Sequence, residues 1–153
     1  MRIRARQQMF GRMIQTRYFY PMRTGIINQE VIINTTPEEA WELFMDADKH
    51  SDITGAEVEM SREIEGTFVI FDGYCHGYNI ELVPGKRIVQ AWHFEEDGWP
   101  EDHYSICIFV FETHPMGTRL IFTQTGIPEH KVKALESGWN EYYWEAIKDY
   151  LAS

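Results

Sequence analysis

The chain closes on Gly138-Trp139-Asn140-Glu141-Tyr142-Tyr143-Trp144-Glu145-Ala146-Ile147-Lys148-Asp149-Tyr150-Leu151, and how this stretch is read decides the fold. Laid on a helix, Leu135, Trp139, Tyr142, Ala146 and Tyr150 step by three or four residues, with Tyr143 and Ile147 alongside. The result is a broad apolar stripe that must face something large. Each Trp or Tyr buries on the order of 150–250 Å², so the opposing surface has to be extensive. From about residue 26 the preceding chain reads as strands that supply it. The expected architecture is therefore α+β, with a long C-terminal helix gripped by a curved antiparallel sheet of about six to seven strands. The aromatics then either form plain core or line a pocket between helix and sheet.

Upstream of that helix, Gly126-Ile127-Pro128 ends the sheet. Ser105–Thr113, a turn at Pro115-Met116-Gly117 and Thr118–Thr125 read as a hairpin. Before an acidic loop at 95–103 come Lys86–Phe94, a turn at Pro84-Gly85 and Tyr74–Val83. The tight-turn pair Asp72-Gly73 separates these from Gly66–Phe71, and Ala56–Arg62 alternates like a half-exposed edge strand. Residues 26–34 are β-branched and strand-like. Thr36-Pro37-Glu38-Glu39 then starts a short helix with Thr36 as N-cap and Glu39 closing a capping box. That helix is expected to dissolve into a solvated loop at Asp46–Asp52. Strand, helix, about six strands, helix excludes a parallel doubly wound sheet, which alternates the two.

The strands obey the one-face-buried rule of antiparallel sheets in part. Ile88, Gln90, Trp92 and Phe94 share a face, as do Leu120, Phe122 and Gln124. Between them, Cys107, Phe109 and Phe111 lie on one side and Ile106, Ile108 and Val110 on the other. That second apolar face calls for a cover, either the N-terminal leader or a second subunit, so a monomer or weak homodimer is expected.

At 153 residues the chain fits one domain able to bury a sizeable core without staples. Residues 1–24 hold six arginines and no acid, and read as a basic leader: a targeting segment, a disordered arm or a misassigned start. Residues 25–153 form the single domain. With those six removed, eight basic residues face twenty-four acidic ones, a formal −16. So acidic a body repels phosphate backbones, which argues against nucleic acid as a partner. No apolar run is long enough to span a membrane. Cys75 and Cys107 have no framework spacing, which fits a reducing, cytoplasmic setting.

Chemistry-bearing motifs are weak. The six histidines show no metal-ligand spacing, and the Asp46-x-Asp48-x-His50 run lacks the Gly that a calcium loop needs at Ser51. Neither metal nor cofactor is expected. Cys75 and His76 are adjacent on a strand and so point to opposite faces, Cys107 reads as an inert core thiol, and the acidic loop reads as a solvated surface. What remains is polar amides among inward aromatics. Gln90 and Gln124 sit where a pocket would use them to orient a ligand, or where they would simply bond locally.

The segments Ile32–Leu43, Phe68 to Gly77, Leu82-Val83-Pro84, Ile88 to Trp92, Gly117-Thr118-Arg119-Leu120 and Gly138 to Leu151 resemble one family. It is the activator of heat-shock protein 90 ATPase homologue family, within the SRPBCC/START superfamily that shares the birch pollen allergen's helix-grip fold. The resemblance spans about residues 26–151, with Ala146 where relatives often have Pro. It implies the helix-grip fold and a role among carriers, cyclases or chaperone cofactors, and it brings no fixed catalytic set. The leading expectation is non-enzymatic binding of a lipid-like or aromatic hydrophobic small molecule. Trp41, Phe68, Trp92, Phe109, Phe122, Trp139 and Tyr143 would line the pocket, oriented by Gln90 and Gln124. The alternatives are a module that engages a heat-shock protein 90 chaperone and a polyketide cyclase-like enzyme.

Overall fold

The computed structural model describes residues 22–153, so the leader expected at 1–24 lies almost wholly outside the described residues. Seven strands form one open antiparallel sheet in the order β1-β7-β6-β5-β4-β3-β2. They are β1 (Thr24–Ile33), β2 (Glu59–Met60), β3 (Thr67–Ile70), β4 (Cys75–Val83), β5 (Arg87–Phe94), β6 (Ser105–His114) and β7 (Gly117–Pro128). From β2 onward each strand pairs with its sequence neighbour, and β1 returns to pair along nearly the whole of β7. Two short helices, α1 (Pro37–Met45) and α2 (Ala47–Thr54), interrupt the order after β1. The C-terminal helix covers the inner face. This is the helix-grip α+β architecture expected from the sequence.

Local chemistry accounts for the element boundaries. Thr36 Oγ1 accepts the Glu39 amide at 3.2 Å with Pro37 next in line, so α1 starts where expected, while Glu39's carboxylate goes to Lys49 Nζ at 3.3 Å. The loop expected at Asp46–Asp52 is instead α2. Asp46 caps it by accepting Lys49 N at 3.1 Å, and Gly55 ends it at φ 77°. Its polar sequence hides the helix, because only His50 and Ile53 turn inward. The strand expected over Ala56–Arg62 shrinks to Glu59–Met60 at the sheet edge.

The final helix is not one straight α-helix. A π-helical turn (Asn140–Trp144) joins α3 (Val132–Trp139) to α4 (Glu145–Ala152), with Glu145 N–H donating to Asn140 O five residues back. The added residue rotates the remainder of the helix about its axis. Trp139, Tyr143, Trp144 and Ile147 are buried, whereas Tyr142, expected on the stripe, is 53% exposed.

Sheet alternation holds on the inner face: Ile88, Gln90, Trp92, Phe94, Cys107, Phe109, Phe111, Leu120, Phe122 and Gln124 are all buried there. On the outer face Ile106, Ile108 and Val110 are half-buried. One irregularity matters for the outer face. Asn79 pairs with Gln90 but Glu81 with Val89, so Ile80 is an extra, bulged residue in β4. Beyond the bulge His76 lies opposite His93, and Gly77 lies opposite Trp92. A Cβ on Gly77 would collide with Ala91 O, and Phe68 packs against Trp92 there at 5.3 Å between rings.

Candidate functional site

The space between sheet and helix is occupied by interlocking aromatic rings. Trp139 reaches down from α3 to Phe122 (4.3 Å between centroids), Tyr143 (4.7 Å) and Trp92 (5.2 Å). Phe109 bridges Phe122 (5.1 Å) and Phe44 of α1 (4.8 Å). Three indoles are each matched to a glutamine amide. Trp92 Nε1 donates to Gln90 Oε1 at 2.9 Å, Trp139 Nε1 to Gln124 Oε1 at 2.8 Å, and Trp144 Nε1 to Gln29 Oε1 at 2.7 Å. The other ends are also engaged: Gln90 Nε2 donates to Asn79 Oδ1 at 2.9 Å, and Gln124 Nε2 to Ser105 Oγ at 2.9 Å. Amides so paired hold tryptophans in place, since a buried indole N–H needs an acceptor. Nothing local in the sequence points to the Gln29–Trp144 pair, which joins residues 115 apart.

The nine residues expected to line a pocket fall into two groups. Trp92, Trp139 and Tyr143 border a cavity of about 110 Å³ at the mouth between α3 and the β3–β4 turn. Phe68, Gln90, Phe109, Phe122 and Gln124 are buried in the core, as is Trp41 of α1, whose Nε1 donates to Arg87 O at 3.1 Å. The mouth adds Phe71, Tyr74, Phe94, Leu135 and Tyr142, and it opens into a shallower depression of about 410 Å³ bounded by Phe71, Tyr74 and Tyr142. Phe71 and Asp72 sit at φ 55° and 57°, a conformation bulky residues rarely adopt. Asp72 Oδ1 accepts Glu57 N at 3.0 Å and steadies that turn, which presents the Phe71 ring 6.1 Å from Tyr142. Asp72-Gly73 marks a turn in the sequence, but nothing there shows that it would carry an aromatic rim.

Below the mouth, Tyr143 hydroxyl is 2.8 Å from His50 Nε2, while His50 Nδ1 lies 2.9 Å from Phe44 O. A carbonyl only accepts, so Nδ1 carries the proton and Nε2 receives the phenol's. Burial pushes the His50 pKa down to about 4 and raises those of Tyr143, Cys75 and Cys107. All four groups are thus held neutral, and the thiols are inert.

A second cluster lies on the outer face. His76 Nε2 is 2.9 Å, and His93 Nε2 3.3 Å, from Glu95 Oε2. The sequence hid it because the Ile80 bulge sets the register. Counting back from the Pro84-Gly85 turn without the bulge places His76 opposite Phe94 on the inner face.

An open antiparallel sheet gripping a long C-terminal helix, with an aromatic mouth between them, defines a helix-grip protein. Direct comparison identifies the particular family. The chain matches the family described as Activator of Hsp90 ATPase homolog 1-like protein over residues 34–152, and it belongs to that family. It is 32% identical over 114 residues to activator of 90 kDa heat shock protein ATPase homolog 1 from Homo sapiens, covering 74% of this chain and 33% of the relative. The activator of 90 kDa heat shock protein ATPase homolog from Dictyostelium discoideum is 30% identical over 115 residues, with 74% and 29% covered. The chain therefore spans about a third of the length of the curated relatives it matches. Among solved structures, an HSP90 activator from Plasmodium falciparum superposes with a TM-score of 0.74 at 24% identity, over 86% of this chain and 96% of that one. Among the described residues no helix is long and apolar enough to cross a membrane.

Proposed function

We propose that this chain is a non-enzymatic cofactor module for a heat-shock protein 90-type chaperone and docks through the mouth between α3 and the β3–β4 turn. The observation that carries this is the aromatic rim formed by exposed Tyr74 and Tyr142 and half-buried Phe71 around the surface depression. Apolar side chains left at a surface depression are typical hot-spot partners for an inserted anchor residue. The strained φ at Phe71 supports the reading, because such strain persists where a side chain has to be presented. The relatives' names as activators of that chaperone's ATPase supply the partner class.

The test is the ATP hydrolysis rate of a purified heat-shock protein 90 with the full chain added. The expected result is a saturable change in rate, with roughly tenfold more of the Tyr142→Ala or Phe71→Ala protein needed for half the effect. An unaltered rate at saturating chain sinks the proposal.

A second reading keeps the small-molecule ligand and is favoured by the same apolar cavity. Its volume of about 110 Å³ suits a single aromatic ring rather than a sterol, since an engineered cavity of roughly 150 Å³ takes benzene. In that reading Trp92, Trp139 and Tyr143 contact the ligand, and Gln90 and Gln124 act by fixing the tryptophans. An amide-resolved NMR titration with small aromatics separates the readings: saturable shifts at those three residues favour the ligand, and a silent spectrum favours the chaperone.

A further inference from the structure

We propose that His76, His93 and Glu95 form a binding site for a single zinc-like divalent cation on the outer face of the sheet. The three potential ligand atoms lie within 4.8 Å of one another, contributed by paired positions on β4 and β5 and by the residue just after β5. Two imidazoles and one carboxylate are a donor set that suits zinc and neighbouring transition metals, with one position left to water. Bond lengths near 2.0–2.1 Å put tetrahedral ligand atoms about 3.3 Å apart. The His93–Glu95 separation is 3.3 Å, and the His76–Glu95 separation of 2.9 Å would have to lengthen by about a few tenths of an ångström.

The decisive feature is His93. It is only 4% exposed, and its ring is fixed: Nδ1 lies 2.8 Å from His103 O, a carbonyl that also accepts Trp99 Nε1 at 2.8 Å. Since that carbonyl can only accept, Nδ1 carries a proton, and Nε2 is the nitrogen turned toward the Glu95 carboxylate. Nε2 and Glu95 Oε2 face each other at 3.3 Å, so a cation placed between them would be held by both. An outer hydrogen bond that fixes tautomer and ring plane is also how metal-binding histidines are held. Tyr104 packs over both imidazoles, at 5.7 Å from His93 and 6.2 Å from His76, and shelters the cluster. Glu96, next in the chain, is engaged by Lys131 Nζ at 3.4 Å, whereas Glu95 faces the two imidazoles. A bound cation would tie β4, β5 and the start of the acidic loop into one unit.

The test is a calorimetric titration of the full chain with zinc chloride in a non-chelating buffer, run beside His76→Ala, Glu95→Gln and a control, His114→Ala. Residue 114 lies at the opposite end of β6, and none of these substitutions removes a fully buried side chain. The expected result is one saturable equivalent, weakened by at least about tenfold in His76→Ala and Glu95→Gln, since even outer-shell partners of metal ligands are worth that much, and unchanged in His114→Ala. Imidazole NMR should then show zinc-induced shifts at the ring nitrogens of His76 and His93. The proposal is overturned by the absence of a saturable site, by equal binding in all four proteins, or by magnesium giving the same isotherm. The last two would mark loose attraction to the acidic surface.

Discussion

At the scale of single residues, the interior is governed by the requirement that every buried polar atom find a partner. The tryptophan–glutamine pairs answer it with neutral amides, and the His50–Tyr143 pair answers it with a titratable one. This gives the protein a specific acid sensitivity. In the folded state His50 titrates at about 4 because burial disfavours its charge, whereas unfolded it titrates near the ordinary 6.5. Its contribution to stability is therefore complete above pH 6.5 and is lost as pH falls from there to 4, where the unfolded chain binds a proton that the folded one refuses. The full effect is about 3 kcal/mol, most cleanly read between pH 6.5 and 5, before carboxylates dominate. Urea midpoints should fall across that window in the native protein. In His50→Asn they should start lower, since the Tyr143 hydroxyl loses its acceptor, but run flat. Parallel slopes in the two proteins would show that His50 is not the sensor.

At the scale of elements, the sequence showed what depends on alternation and hid what depends on one inserted residue. The inner faces of β5, β6 and β7 came from period-two patterning, because a slip by one would expose every aromatic. The α2 helix is hidden in the sequence because His50 and Ile53 are its only fully buried residues. Two single-residue insertions, the Ile80 bulge and the π-helical turn, have no local signature, yet one places His76 beside His93 and the other decides which aromatics face inward. Of the pocket residues named from sequence, Trp92, Trp139 and Tyr143 reach the mouth, while the rest lie deeper, where paired amides and packed rings leave them no solvent. The π-helical turn can be tested directly. A straight helix would bury Tyr142, yet it is exposed and Trp144 is buried and hydrogen-bonded to Gln29. Tyr142→Ala should change unfolding free energy by less than about 1 kcal/mol, and Trp144→Ala should cost about 3–5 kcal/mol. Denaturant curves showing the reverse order would restore the straight helix.

At the scale of the molecule, charge and fold act on different problems. Closing β1 onto β7 ties the first described strand to the last one before the C-terminal helix, so the mouth is carried on a frame fixed from both ends. Around that frame residues 25–153 carry a formal −16. Of their eight basic side chains, Lys49, Arg62, Arg87, Arg119, Lys131 and Lys148 are already matched to acids. Such exposed pairs add little stability, but they neutralise most of the positive charge locally and leave the long-range field of this body negative. If the partner is a chaperone reached by diffusion, that field should steer the encounter toward a basic surface while the aromatic rim holds the complex once formed. The two contributions separate kinetically. Raising salt from about 50 to about 300 mM should lower the association rate about tenfold or more, because the screening length falls to a few ångströms. Dissociation should barely respond, and Tyr142→Ala should act the other way round, speeding dissociation while leaving the salt dependence of association intact. Stopped-flow mixing of the full chain with purified chaperone measures both rates. An association rate indifferent to salt would detach the acidic surface from recognition and leave the aromatic rim as the whole of the interface.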